Sequence, residues 1–320
     1  MHWFVETKIR RHIDVKFDRS GGRHYLPGSG ATPIYFARGP EVSVMTDSLG
    51  LLSVGPHPDD CAIKSGGIAA KYVEAGHDVT FLSVTDGSAG HHEMGRAKLA
   101  ARRKRETEAV AETLGIEYEV FDVRDGELEP SLENRRRLIR FIREVDPDLV
   151  LGPRPNDYHP DHRYCAQLLQ DAAYMLIVPN ICPEIPALDA NPVMGYVADH
   201  FRKPAPFEPD VVLDVSDVVD RKIDALHCHE SQMYEWLPYT YGELEAVPDG
   251  DDERREWLAG DGLGHLVANT EMNVADRFRE ELVARYGEDG GGAVEHAEAV
   301  EISEYGAPLT DERREELFFF

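Results

Sequence analysis

Several things are scarce in this chain of 320 residues. Four cysteines (61, 165, 182 and 228) are scattered without CxxC spacing, which argues against a secreted disulfide framework and leaves reduced thiols as the expectation. Lysine occurs only at 8, 16, 64, 71, 98, 104, 203 and 222, the other basic residues being arginine. With 60 Asp+Glu against 34 Lys+Arg, the formal net charge is −26. A chain so charged repels phosphate backbones, so nucleic-acid binding is excluded as a main role. An acid-rich, lysine-poor surface also suits high salt, where screening removes self-repulsion, and an ordinary acidic cytosolic enzyme is the competing explanation. No stretch approaches the ~18 apolar residues of a membrane span. Charges interrupt the first residues where a signal peptide would be apolar. A cytoplasmic, non-membrane protein is the expectation, and a homo-oligomer is compatible with it.

What is present is organised around two short motifs. The apolar run Leu51–Val54 leads into His57-Pro58-Asp59-Asp60, and a second run, Leu149–Leu151, leads towards His159-Pro160-Asp161-His162. Apolar strand-like segments at 51–55, 79–84, 118–123 and 148–152 alternate with helical patterns at about 93–114 and 131–145. Later strands are expected near 193–197 and 211–215, and a helix from about Val218. Pro153 is expected to open a helix running to about Ile177. Alternation of this kind predicts an α/β, Rossmann-like, mostly parallel sheet with helices on both faces. Residues 1–48 read as a peripheral or partly disordered extension, 49–235 as the catalytic domain, and 236–320 as an irregular acidic extension. Within the last stretch, Asp249–Arg255 and Asp289–Gly292 read as turns or linkers. The terminal Phe318-Phe319-Phe320 suggests docking on the chain itself or on a neighbouring subunit.

Both motifs fall at carboxyl ends of strands, where open α/β sheets bind ligands. Pro58 suits the first turn of a helix, so His57 and Asp60 can converge on a divalent metal while Asp59 stays off it. An unligated carboxylate beside metal-bound water has the makings of a general base. His162 can supply a third ligand. Both motif histidines could ligate, or one could stay off the metal as an acid, with Asp161 holding an imidazole tautomer. The bland alternative, that these residues are caps and turn formers, weakens because the motif occurs twice. Arg154 and His92 are further substrate candidates, against salt bridging and a solvated helix start. Trp236 and Tyr234 could wall a sugar pocket or pack in the core. Cys61 reads as a buried inert thiol rather than a soft ligand.

Together, Pro56–Asp60 and Tyr158–His162 resemble the PIG-L/LmbE-like zinc N-deacetylases. So do Thr85-Asp86-Gly87-Ser88-Ala89-Gly90, Arg105-Glu106 ahead of Leu114-Gly115, and the late segment Lys222, Ala225 and His229-Glu230-Ser231-Gln232. The resemblance covers about Leu51 to Gln232. It implies zinc on His57, Asp60 and His162, with Fe²⁺ or Co²⁺ as alternatives. It further implies Asp59 as general base, His159 as general acid or oxyanion stabiliser oriented by Asp161, and Tyr158 as an oxyanion donor. Arg105 and His229 join the substrate candidates. The implied reaction is hydrolysis of the N-acyl bond of an amino-sugar conjugate. The alternatives are an amidase of the same mechanism on a larger thiol or pseudo-disaccharide conjugate, and a metal-binding module without turnover. The family often has Glu where this chain has Cys61, which bears on the sugar contacts and leaves the ligands intact.

Overall fold

The computed structural model describes residues 48–260 and 274–320; the expected N-terminal extension lies outside these but for Ser48. A seven-stranded sheet organises the described chain. Its strands are β1 (Gly50–Gly55), β2 (Asp78–Ser83), β3 (Glu117–Val120), β4 (Leu149–Gly152), β5 (Val193–Val197), β6 (Val211–Asp214) and β7 (Ala297–Ile302), in the order β3-β2-β1-β4-β5-β7-β6. The pairings from β3 through β5 are parallel, and β7 runs antiparallel to both its neighbours.

Side-chain alternation explains the two covered faces. Leu51, Phe81 and Leu151 pack with Ile68 and Tyr72 of α1 (Asp60–Glu74), Val110 and Leu114 of α2 (Arg96–Leu114), and Leu226 of α5 (Val219–His227). Leu52, Val54, Leu82 and Val150 face the other way, onto Leu138, Ile139 and Ile142 of α3 (Leu132–Val145) and Leu168 and Leu169 of α4 (Pro160–Ala173). Strands apolar on both sides are what a sheet buried on both faces requires. The sheet order reverses between β1 and β4, the adjacent strands that carry the two motifs. A crevice therefore opens at their carboxyl ends.

Several expectations are corrected. The second motif does not open a helix at Pro153: residues 153–159 form an irregular approach and α4 starts at Pro160, where proline's missing N–H costs nothing. Among the described residues, the stretch after residue 236 is largely helical rather than irregular. Asp251–Ala259 forms a helix, α7, following the short α6 (Leu237–Tyr241). After α8 (Val274–Arg277), Arg279–Ala293 forms α9, bent at Gly287, so Asp289–Gly292 is helical rather than a linker. β7 then enters the sheet between β5 and β6, and α10 (Asp311–Leu317) leads to the carboxyl end. The terminal phenylalanines dock on their own chain. Phe318 is buried, and the rings of Phe319 and Phe320 lie 5.6 and 6.4 Å from that of Tyr72.

Candidate metal centre

The tight turn after β1 brings His57 and Asp60 together, with the His57 N–H donating to Asp60 Oδ2 at 2.7 Å. Asp60 Oδ2 lies 3.4 Å from His57 Nδ1 and 3.8 Å from His162 Nε2, and these two nitrogens are 3.3 Å apart. Ligands ~2.0–2.2 Å from a tetrahedral ion are separated by roughly 3.3–3.6 Å. The three atoms thus nearly form one face of such a tetrahedron. His159 also approaches, its ring 4.8 Å from that of His57, and the His57–His159–His162 group is itself compact enough to hold an ion.

The outward nitrogens of both imidazoles face carboxylates. His57 Nε2 is 3.3 Å from Asp125 Oδ1 and 3.4 Å from Asp161 Oδ2, and His162 Nδ1 is 3.0 Å from Asp157 Oδ2. A carboxylate behind a ligating histidine fixes its tautomer and raises its basicity. Asp161 thus stands at ion-pair distance from His57, whose Nε2 makes no well-aligned hydrogen bond, and its carboxylate is held by the N–H groups of Gly126 and Leu128. The expectation that it orients His159 is corrected, since the two meet through the Asp161 backbone N–H, which donates to His159 Nδ1 at 3.2 Å. That bond also makes His159 the N-cap of α4, so the bland capping role holds for this one residue. With Nδ1 accepting, the proton of a neutral His159 is assigned to Nε2.

Asp59 occupies the N-cap position of α1 and makes no capping hydrogen bond with its side chain. It is buried, and burial together with the charge of Asp60 raises its pKa, while Arg103 and His57 pull the other way. Burial also works against the charge on Asp60, but His162 and His57 outweigh it and hold that pKa below the usual carboxylate range. Burial lowers the pKa of His57, and Asp125, Asp161 and Asp60 more than reverse this. Carboxylates crowding two imidazoles in this way suit a divalent cation.

Beside the triad, a cleft of about 410 Å³ is lined by Asp60, His162, Lys64, Arg154 and Asp199 among others. Arg154 reaches it fully committed, donating to both Asp199 oxygens at 2.7 and 2.6 Å. Tyr158 stands 75% exposed at the rim, its ring 5.8 Å from His159. His229 is buried, with Nε2 lacking a hydrogen-bond partner, and burial lowers its pKa to about 3. Cys61 is inert: its thiol donates to the Ser53 carbonyl, and burial pushes its pKa up to about 12. Tyr234 is a core residue. His92 lies in a stack of aromatic rings.

Arg105 is not at the site; it is exposed on α2 and donates to the Ala101 carbonyl of its own helix. Arg103 is the buried cation instead, donating to Gly90 O at 3.0 Å and to Gln232 Oε1. Gly87 makes room for it. With φ +62, a side chain there would be strained, and a Cβ would stand 2.7 Å from both Arg103 Nη1 and Pro58 Cδ. Arg103, Asp125 and Asp157 are site residues that motif reading missed. The spacing of Leu99, Arg103, Val110 and Leu114 along the buried face of α2 could have singled out Arg103.

Comparison with known proteins accords with this geometry. Residues 52–173 match the family described as PIG-L: GlcNAc-PI de-N-acetylase. The diacetylchitobiose deacetylase of Thermococcus kodakarensis is 36% identical over 204 residues, covering 59% of this chain and 74% of that protein. The 4-oxalmesaconate hydratase of Pseudomonas putida is 29% identical over 237 residues, covering 70% and 92%. Among solved structures, the N,N'-diacetylchitobiose deacetylase of Pyrococcus horikoshii, in complex with an inhibitor, superposes with TM-score 0.61 at 25% identity, covering 81% of this chain and 85% of that one.

Proposed function

Because the chain belongs to the PIG-L (GlcNAc-PI de-N-acetylase) family, we propose that it hydrolyses the N-acetyl bond of an amino-sugar conjugate at the His57–Asp60–His162 centre. The observation that carries this reading is Asp59: a buried carboxylate beside three converging ligand atoms, unused as a helix cap. A structural metal site has no use for such a group. Two imidazoles and one carboxylate suit Zn²⁺, with Fe²⁺ or Co²⁺ able to use the same donors.

A divalent ion on these three residues supplies Lewis acidity towards the amide carbonyl and acidifies water. The remaining chemistry belongs to the chain. Asp59, its pKa raised by burial, takes the proton of the attacking water. His159 offers its Nε2–H to the oxygen on which negative charge develops. A general-acid role for His159 would need its imidazolium, which burial and the neighbouring His57 and His162 disfavour. Asp59, having gained a proton, is then the donor to the departing amine. Asp125, Asp161 and Asp157 hold the two ligand imidazoles, and Tyr158 at the rim is a second donor to the substrate oxygen.

One relative favours a second reading, the hydratase just described, in which the same centre would add water to a carbon–carbon double bond. Metal-replete enzyme should be given N-acetylglucosamine, N,N'-diacetylchitobiose and an N-acetylglucosaminyl malate, with free amine as the readout. In parallel, an unsaturated keto-tricarboxylate should be followed by loss of its conjugated absorbance. Amine release without hydration is the expected result. Hydration without amine release would replace the deacetylase reading with the second one.

A further inference from the structure

The Asp59 side chain makes no capping bond, so the direction of its carboxylate is set by the backbone that carries it. Along the turn after β1 each carbonyl from Pro56 to Asp59 has a donor. Pro56 O accepts from the Thr85 N–H at 3.1 Å and from Thr85 Oγ1 at 2.7 Å. His57 O accepts from the Asp60 N–H at 3.2 Å, and Asp59 O from the Ile63 N–H at 3.0 Å. The fourth, Pro58 O, accepts from the hydroxyl of Tyr118.

Tyr118 belongs to neither motif. It stands on β3 at the edge of the sheet, in register with Phe81 of β2 and edge-on to its ring, with centroids 5.5 Å apart. Its neighbours Glu117 and Glu119 alternate to the exposed side. Its hydroxyl reaches past β2 to the turn that follows β1. Burial pushes its pKa up, so the phenol stays protonated and donates. Ring packing on Phe81 alone would be met by phenylalanine. The buried hydroxyl of a tyrosine takes a polar partner, and here the partner is the peptide that enters Asp59.

Pro58 makes this one bond decisive. The pyrrolidine ring locks φ at about −65°. The ring also abuts Gly87, where a Cβ would stand 2.7 Å from Pro58 Cδ. The rotation that remains is ψ, which carries the Pro58 carbonyl and, through the planar peptide, the N–H and Cα of Asp59. A donor on that carbonyl holds ψ. We propose that Tyr118 is a positioning residue for the general base: by holding the Pro58 carbonyl, its hydroxyl aims the Asp59 carboxylate at the attacking water. The inference rests on the reading of Asp59 as base, and it extends the site to the edge strand.

Tyr118→Phe keeps the ring on Phe81 and removes only the donor. In the metal-replete enzyme its kcat for an N-acetylated amino sugar should fall about 10–100-fold, because misplacing a reacting group by ~1 Å can cost about 10²-fold. KM and metal content should match wild type. Because Tyr118 acts through Asp59, the same change in the Asp59→Asn background should alter residual turnover by less than about twofold. Crystal structures of wild type and Tyr118→Phe in one crystal form should show the Asp59 carboxylate displaced. A kcat within about twofold of wild type, an equal fold-loss in both backgrounds, an unmoved carboxylate, or metal lost with activity would each overturn the proposal. So would failure of both Tyr118→Phe and the donor-retaining Tyr118→His to fold, which would make Tyr118 a structural residue. Full turnover by Asp59→Asn alone would instead sink the base reading, and the carboxylate position would still decide the role of Tyr118.

Discussion

At the scale of single residues, the proposed chemistry separates groups that would hold a metal from groups that position those ligands. Asp157 is of the second kind, with one oxygen 3.0 Å from His162 Nδ1 and the other accepting the His159 N–H at 2.9 Å. Asp157→Asn should weaken metal affinity by about 10–100-fold, as loss of such a partner does elsewhere. Competition with a chelator would measure this, and unchanged affinity would show that His162 needs no orienting carboxylate. His229 permits a prediction in pH. Its folded pKa lies near 3, against about 6.5 in the unfolded chain. Above pH 6.5 both states are neutral and it contributes no slope. Between these values the unfolded chain binds a proton that the folded one does not, so stability falls as pH falls. His229→Asn should flatten that decline in denaturation midpoints between pH 7 and 5, and an identical slope would contradict it. The proposed ligands are legible because His-Pro-Asp-Asp and His-Pro-Asp-His are compact and recur at strand ends. Arg103 is not, because Arg102-Arg103-Lys104-Arg105 offers four adjacent cations and only the helical register chooses among them.

At the scale of elements, β1, β2, β4, β5 and β6 could be read because burial on both faces demands unbroken apolar runs. β7 could not, because Ala297-Glu298-Ala299-Val300-Glu301-Ile302 mixes acids into a strand. The structure supplies the reason for Glu298. α1 is interrupted at Ser65, and the carboxylate of Glu298 accepts the N–H groups of Gly67 and Ile68, both at 2.8 Å, as the second half of the helix begins. The same side chain pairs with buried Lys222 at 2.7 Å. Glu298→Ala should destabilise the fold by about 3–5 kcal/mol, since it strands a buried ammonium and uncaps the half-helix. Urea unfolding would measure this, and a loss under ~1 kcal/mol would mean that Lys222 finds water. Asp251, Asp252 and Glu253 misled the reading in the opposite sense. Their charge resembled a linker, yet acids in the first turn of a helix are favoured by its dipole.

At the scale of the whole molecule, the acidic surface is the dominant property. A net charge of −26 makes the compact state self-repelling when the Debye length is long, ~30 Å at 0.01 M salt against ~3 Å at 1 M. The melting temperature should therefore rise as KCl goes from millimolar to molar, with activity following. A flat or falling curve would make the acidity ordinary without touching the site. Among the described residues no helix is long and apolar enough to cross a membrane. The overall architecture followed from strand–helix alternation alone, whereas insertion of β7 between β5 and β6 depends on a pairing some hundred residues distant from its neighbours in sequence, which no local pattern encodes.

In the proposed reaction Asp59 is a base and not a ligand, beside a metal held by His57, Asp60 and His162. Metal content and amine release should be measured together on purified wild-type and Asp59→Asn protein. The variant should retain metal at the wild-type stoichiometry while turnover of an N-acetylated amino sugar falls by ~10²–10⁴. Loss of the metal along with turnover, or turnover that survives the substitution, would contradict it.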